Sequence, residues 1–219
     1  MSKLISSRSL AAAVVALALA IPMAAMAQGT SMTTKSFSAV FYLDDPGGCL
    51  ITSVGHSQVV QTRPKPSTIQ DASFVQIWRD LEGRDCATAA GGGSVVSILE
   101  GTSDQPPTEF TIDQRLTNAT LKVTIPITFQ ETGAEASVVV NLITNGVVGQ
   151  LTPLRSHVTF PGSQPGPVIM HTSEYSRPGM SSGSIFVGTI DYAGTLAGPN
   201  SSMSVQAQQS AGPKPRLLH

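Results

Sequence analysis

Five apolar residues at every second position, Leu121, Val123, Ile125, Ile127 and Phe129, alternate with Lys122, Thr124, Pro126 and Thr128. Successive side chains of an extended strand point to opposite faces, so this stretch reads as a strand with one face in a core and one in water. Such a strand cannot stand alone. Its backbone groups need ladder partners and its apolar face needs a second layer. Pro126 has no N–H to give a ladder, which predicts an edge or a bulge at that point.

The same alternation recurs in Phe37, Ala39, Phe41 and Leu43. In Val138, Val140 and Leu142 it is joined by Val139 and Ile143, which predicts a strand covered on both faces. Asn145-Gly146 follows that strand and is a strong short-range hairpin signal. Further candidate strands are 49–54, 94–99, 110–116, 157–160, 168–172 and 184–192. Breaks rich in Gly and Pro separate them, among them Asp45-Pro46-Gly47-Gly48, Gly91-Gly92-Gly93 and the loop from Pro161 to Pro167. One stretch is ambiguous: Phe74, Ile77, Trp78 and Leu81 have helical spacing, yet Phe74 to Ile77 also suits a buried strand, and strand is preferred. Many short strands with turn signals between them predict an all-β chain, a single antiparallel β-sandwich with a barrel-like arrangement as the alternative. The expected domain is 36–209, between a flexible segment 28–35 and a disordered tail 210–219.

The first 27 residues have another character. Lys3 and Arg8 precede an apolar run, and Ala25-Met26-Ala27 has the small-x-small pattern of a signal-peptidase site. The run is shorter than the roughly 20 residues of a spanning helix. Cleavage after Ala27 is therefore expected, with a bacterial style of leader, a secreted or periplasmic product and no stable membrane span. Of 13 basic residues two lie in the leader, which leaves eleven against 14 acids. That balance gives no reason to expect nucleic acid as a partner. Cys49 and Cys86 are the chain's two cysteines. In an oxidising compartment they read as one disulfide, stabilising by about 4 kcal/mol in the chain-entropy model.

Few residues suggest chemistry. Gly179-Met180-Ser181-Ser182-Gly183 fits the G-x-S-x-G spacing of a nucleophile elbow, which needs a strand entering the serine and a helix leaving it. Here Arg177-Pro178-Gly179 precedes and a strand follows, so Ser181 reads as a loop serine. If 168–172 returns against 157–160 with Phe160 opposite Val168, then His157 falls opposite His171, about 5 Å away on one face. Two imidazoles so placed suit zinc or copper, although Met170 and Glu174 are out of phase and no third ligand follows. Asp80, Glu82 and Asp85 around Gly83 resemble part of a calcium loop without its full ligand pattern, and Arg79 and Arg84 lie among them. No glycine-rich phosphate cradle leads into a helix.

A resemblance can be stated on Cys49 with Thr52-Ser53-Val54, Val75-x-Ile77, Asp80 and Asp85-Cys86. It continues through Leu116, Ala119-Thr120-Leu121, Val138-x-Val140-x-Leu142, His157, His171, Ser176-Arg177-Pro178 and Gly183-Ser184-Ile185. On these short matches the chain resembles a family of secreted bacterial β-proteins with no assigned activity. The resemblance implies an all-β fold and a strand at Val75 to Arg79, and it carries no catalytic residues over. The expectation is a non-catalytic envelope or extracellular module that binds an unknown ligand or serves structure, through a sheet face or the Pro161–Pro167 loop. A metal-binding protein or metallohydrolase centred on His157 and His171 is the alternative.

Overall fold

A computed structural model describes residues 30–43, 49–80, 95–161, 167–194 and 201–211. Among these residues all regular structure is extended. The strands are β1 (Ser31–Leu43), β2 (Cys49–Arg63), β3 (Ser67–Asp80), β4 (Val95–Ser103), β5 (Glu109–Ile112), β6 (Asn118–Phe129), β7 (Glu135–Gly146), β8 (Thr152–Phe160), β9 (Val168–Val187), β10 (Ile190–Asp191) and β11 (Ser201–Ala211). The stretch at Phe74 is strand, with Ser73, Val75 and Ile77 buried on one face. Packing on the pleated surface overrides the helical spacing of Phe74, Ile77 and Trp78. β1 begins at Ser31 and β11 ends at Ala211, so the ladders take in residues beyond 36–209 at both ends.

All pairings are antiparallel and belong to one sheet. β1 to β4 pair in sequence, β4 meets β6, β6 meets β7, β7 meets β9, and β9 returns through β11 to β1. The ladders thus run in a circuit of eight strands. Its thinnest link joins β4 to β6 through Leu99↔Phe129 and Glu100↔Thr128, extended by a Gln130 N–H bond to the Ile98 carbonyl. Pro126 stands just beside that link: β7 pairs with it on one side, while on the other the ladder with β5 has ended at Lys122. This is the edge-like position that a residue without an N–H requires. Gly101 lets β4 cross close by, because a Cβ there would lie 2.1 Å from the Pro126 carbonyl oxygen.

The core is the face that alternation marks. Leu121, Val123, Ile125 and Ile127 of β6 pack with Val138, Val140 and Leu142 of β7, and with Phe41, Val75, Leu99, Ile185 and Met203. The outer side of β7 is different from expectation, since Val139 and Ile143 are about half exposed, at 48% and 50%. In β1 the buried phase switches partway: Phe37, Ala39 and Phe41 are buried at one end, Met32 and Thr34 at the other. β2 switches at the paired level, from Thr52, Val54 and His56 to Val59. Beyond the switch the core face turns toward solvent.

Two turn readings are corrected. Asn145-Gly146 is not a hairpin turn, because β7 and β8 both pair with β9. Gly146 still lies in the ladder opposite Gly179, its N–H bonds to the Thr117 carbonyl, and the chain bends at Val147 to Gln150. The strand expected over 110–116 ends at Ile112. The Asp113 carboxylate there accepts hydrogen bonds from the Thr117 and Asn118 N–H groups at 3.0 and 2.8 Å. Leu116 in that turn has φ of 55° and is fully buried, so core burial holds it in a left-handed conformation.

Ile125→Ala should lower the unfolding free energy by about 3 kcal/mol, since the side chain is fully buried in the core. Thr124→Ala, on the outer face of the same strand, should stay within about 0.5 kcal/mol. Urea unfolding of the two variants measures the contrast.

Candidate functional site

β8 lies along the first half of β9 in the register expected from sequence. Phe160 pairs with Val168, Thr159 with Ile169, Val158 with Met170, and His157 with His171. The imidazoles stack, with ring centroids 4.6 Å apart and planes 25° from parallel. β11 sets Gln209 beside His171, and β1 sets Ser31 beside Gln209. Arg155, two residues before His157, pairs with Ser173 on the same face. These groups line an open recess of about 430 Å³. Its other lining residues are Ser156, Thr172, Ala207 and Gln208, so none is acidic and only Ala207 is apolar.

The pair does not present itself as a metal centre in this conformation. Imidazole lone pairs lie in the ring plane, so two nearly parallel rings aim them side by side and not at a common point. Met170 and Glu174 pair with Val158 and Leu154, out of phase with the histidines. Among the described residues no group of three His, Cys, Asp or Glu comes together. Of the expected calcium-loop acids, Asp80 closes β3, while Glu82 and Asp85 lie outside the described residues. Cys49 opens β2 and is 3% exposed, and Cys86 also lies outside the described residues, as does the loop 162–166.

Ser181 is not a loop serine. The candidate strands 168–172 and 184–192 are largely one continuous strand, β9, and Ser181 sits inside it, 3% exposed. Its hydroxyl hydrogen-bonds the hydroxyls of Thr144 on β7 and Ser201 on β11. The flanking glycines serve close strand approach. A Cβ on Gly183, whose φ is 139°, would lie 2.0 Å from the Asn141 carbonyl oxygen, and one on Gly179 would lie 2.5 Å from the Thr144 methyl. The G-x-S-x-G spacing here reflects a crowded ladder, with no helix leaving the serine.

A second constellation escaped the sequence reading. His56 on β2 pairs with Ser73 on β3, and its Nδ1 lies 2.8 Å from the Ser73 Oγ. Its Nε2 lies 3.3 Å from an Asp71 carboxylate oxygen, and the other oxygen of Asp71 accepts from Gln58 at 3.1 Å. A carboxylate only accepts, so we assign the ring proton to Nε2 and let Ser73 donate to Nδ1. The result is a serine–histidine hydrogen bond beside an aspartate that contacts Nε2 without hydrogen-bond geometry, with the ring reversed from the usual nucleophile arrangement. It is closed to substrate: Ser73 and His56 are 1% and 2% exposed, and the Phe110 ring packs edge-on at 4.0 Å from the imidazole. The signal was present in the phase of Thr52-x-Val54-x-His56, which continues the core face, but the candidate strand stopped at Val54.

Burial drives the His56 pKa down to about 4, against the opposing pull of the Asp71 charge. As pH falls the unfolded chain therefore takes up this proton first. The contribution of neutral His56 is complete above about pH 6.5, declines toward pH 4 and is flat below, a span of about 3 kcal/mol. His56→Gln should remove that part of the acid slope. Urea unfolding of both proteins at several values between pH 7 and 4 would show the two stability curves converging as pH falls.

No protein-family model matches this chain. No curated protein matches it either.

Proposed function

We propose that this chain is an exported, non-catalytic β-protein that binds a ligand or serves structure in the cell envelope or outside the cell. The observation that carries the reading is where the hydroxyls go. Ser181 and Ser73, the serines with nucleophile-like surroundings, are buried and bonded within the sheet. What remains open at the β8–β9–β11–β1 end includes a polar recess beside His157 and His171, which suits recognition, while Leu154 and Val158 are exposed on the other face of β8. Among the described residues no helix is long and apolar enough to cross a membrane. The resemblance to secreted bacterial β-proteins without assigned activity agrees with this role.

Export is supported by the leader, with its basic start, apolar run and Ala25-Met26-Ala27. The proposed clamp is a Cys49–Cys86 disulfide. Cys49 pairs with Asp80 in the β2–β3 ladder, and Cys86 follows Asp80 by only six residues, a length of chain that can span the distance. Of the sandwich and barrel-like arrangements, the circuit of ladders through β9, β7, β6 and β4 supports the barrel-like one.

The test is a fluorophosphonate serine probe on the purified mature protein, read by intact mass. No adduct is expected, and labelling at Ser73 or Ser181 would overturn the non-catalytic reading. Alkylation of unreduced protein should leave both cysteines unmodified. Two modified thiols would remove the clamp.

A further inference from the structure

We infer that the recess beside His157 and His171 is an anion-binding site for an oxyanion group, a carboxylate or phosphate, of a small solute. This rests on reading the chain as a binding module and names the chemistry of its ligand. The argument is the donor inventory of the lining. Arg155 offers a planar fork of N–H donors that matches an oxyanion bidentately. The two imidazoles, the Ser31 and Ser173 hydroxyls and the Gln209 amide, all on the face of Arg155, add donors around it.

The charge around the recess has one sign. Among the described residues Arg155 has no ion-pair partner. Glu174, the acid closest in sequence on β9, pairs with Leu154 and so points to the opposite face from Arg155 and Ser173. On the face that carries the histidines, the five strands β8, β9, β11, β1 and β2 bear Arg155, Arg177, Lys35 and Arg63 as fixed cations; Arg63 pairs with Ser31 at the end of the histidine row. Asp71, which lies beyond on β3, is engaged by Gln58 and His56. Nothing in the recess competes with an incoming anion, and a cation would meet Arg155. The volume, about 430 Å³, is that of a small-solute site.

The test is titration of the mature protein with inorganic phosphate, followed by NMR of the histidine ring carbons, with chloride at matched ionic strength as control. Saturable shifts at His157 and His171 are expected below about 10 mM phosphate. Arg155→Gln should weaken binding at least tenfold, while Arg115→Gln, a cation elsewhere, should leave it unchanged. Shifts that chloride reproduces, or binding indifferent to Arg155→Gln, would overturn the site. So would a stoichiometric response to zinc chloride with none to phosphate, which would make the pair a metal site. Failure here with the serines still inert to the probe removes the anion site alone; labelling of a serine removes the non-catalytic reading alone.

Discussion

Strand β9 carries the hydrogen bonding on which the rest depends. Along its 20 residues it pairs with β8 and then β7 on one edge, and with β11 and then β10 on the other. An unpaired backbone group buried away from water costs about as much as a lost hydrogen bond, so a strand with two occupied edges fixes its neighbours in place. Gly179 shows how tight the junction is: it pairs with Ser201 on one side and Gly146 on the other, where the two ladders overlap. Through β7 and β11 this one strand connects both arms of the sheet. Without it, among the described residues, the ladders would join the β6–β7 pair to β1–β2–β3 through the short link between β4 and β6.

Polar groups inside the sheet follow from the same geometry. Thr144, Ser181 and Ser201 face one another across β7, β9 and β11, and each hydroxyl can both donate and accept, so a chain of them is satisfied without water. His56, Ser73 and Asp71 solve a harder case. Burying an aspartate is costly without donors around it; Gln58 donates to one oxygen, while the other lies 3.3 Å from His56 Nε2 without a hydrogen bond. The depressed pKa of His56 keeps the ring neutral, which lets one nitrogen accept from Ser73 while the other faces the carboxylate. These clusters look like catalytic equipment in a list of residue types. In place, both serine hydroxyls are bonded inside the sheet.

Much of the fold was legible because a period of two is local. The alternation from Leu121 to Phe129 gave both the strand and its buried face, and the apolar positions of β1 did likewise. The register of His157 with His171 was legible for a similar reason: two strands joined by a short loop have few ways to pair, and Phe160 opposite Val168 settles the rest. What failed depends on pairing across distance. Asn145-Gly146 has hairpin chemistry, but the neighbour β7 finds is β9, more than 30 residues later. Ser181 reads as a loop because its glycines and serines are loop residues, and only the crowding of Asn141 and Thr144 shows why small residues are needed there. His56 was missed because the alternation was followed only as far as Val54.

The recess follows from the switch of buried phase in β1 and β2. Phe37 and His56 belong to the same face as Ser31, Gln209 and His171, yet the first two are sealed in the core and the others meet solvent. Past the switch the opposite face takes over burial, through Met32, Thr34 and Val59. A sheet that buries one face at one end and the other face at the other end leaves its former core side open while its ladders continue, here with register shifts at Ser31/Met32 and Val59/Val60. Residues on that open side need not be apolar, and the ladder beneath them fixes where their backbones stand. Arg155, His157 and His171 therefore share one strand floor, and fixed backbone positions lower the entropic cost of recognising a small polar ligand.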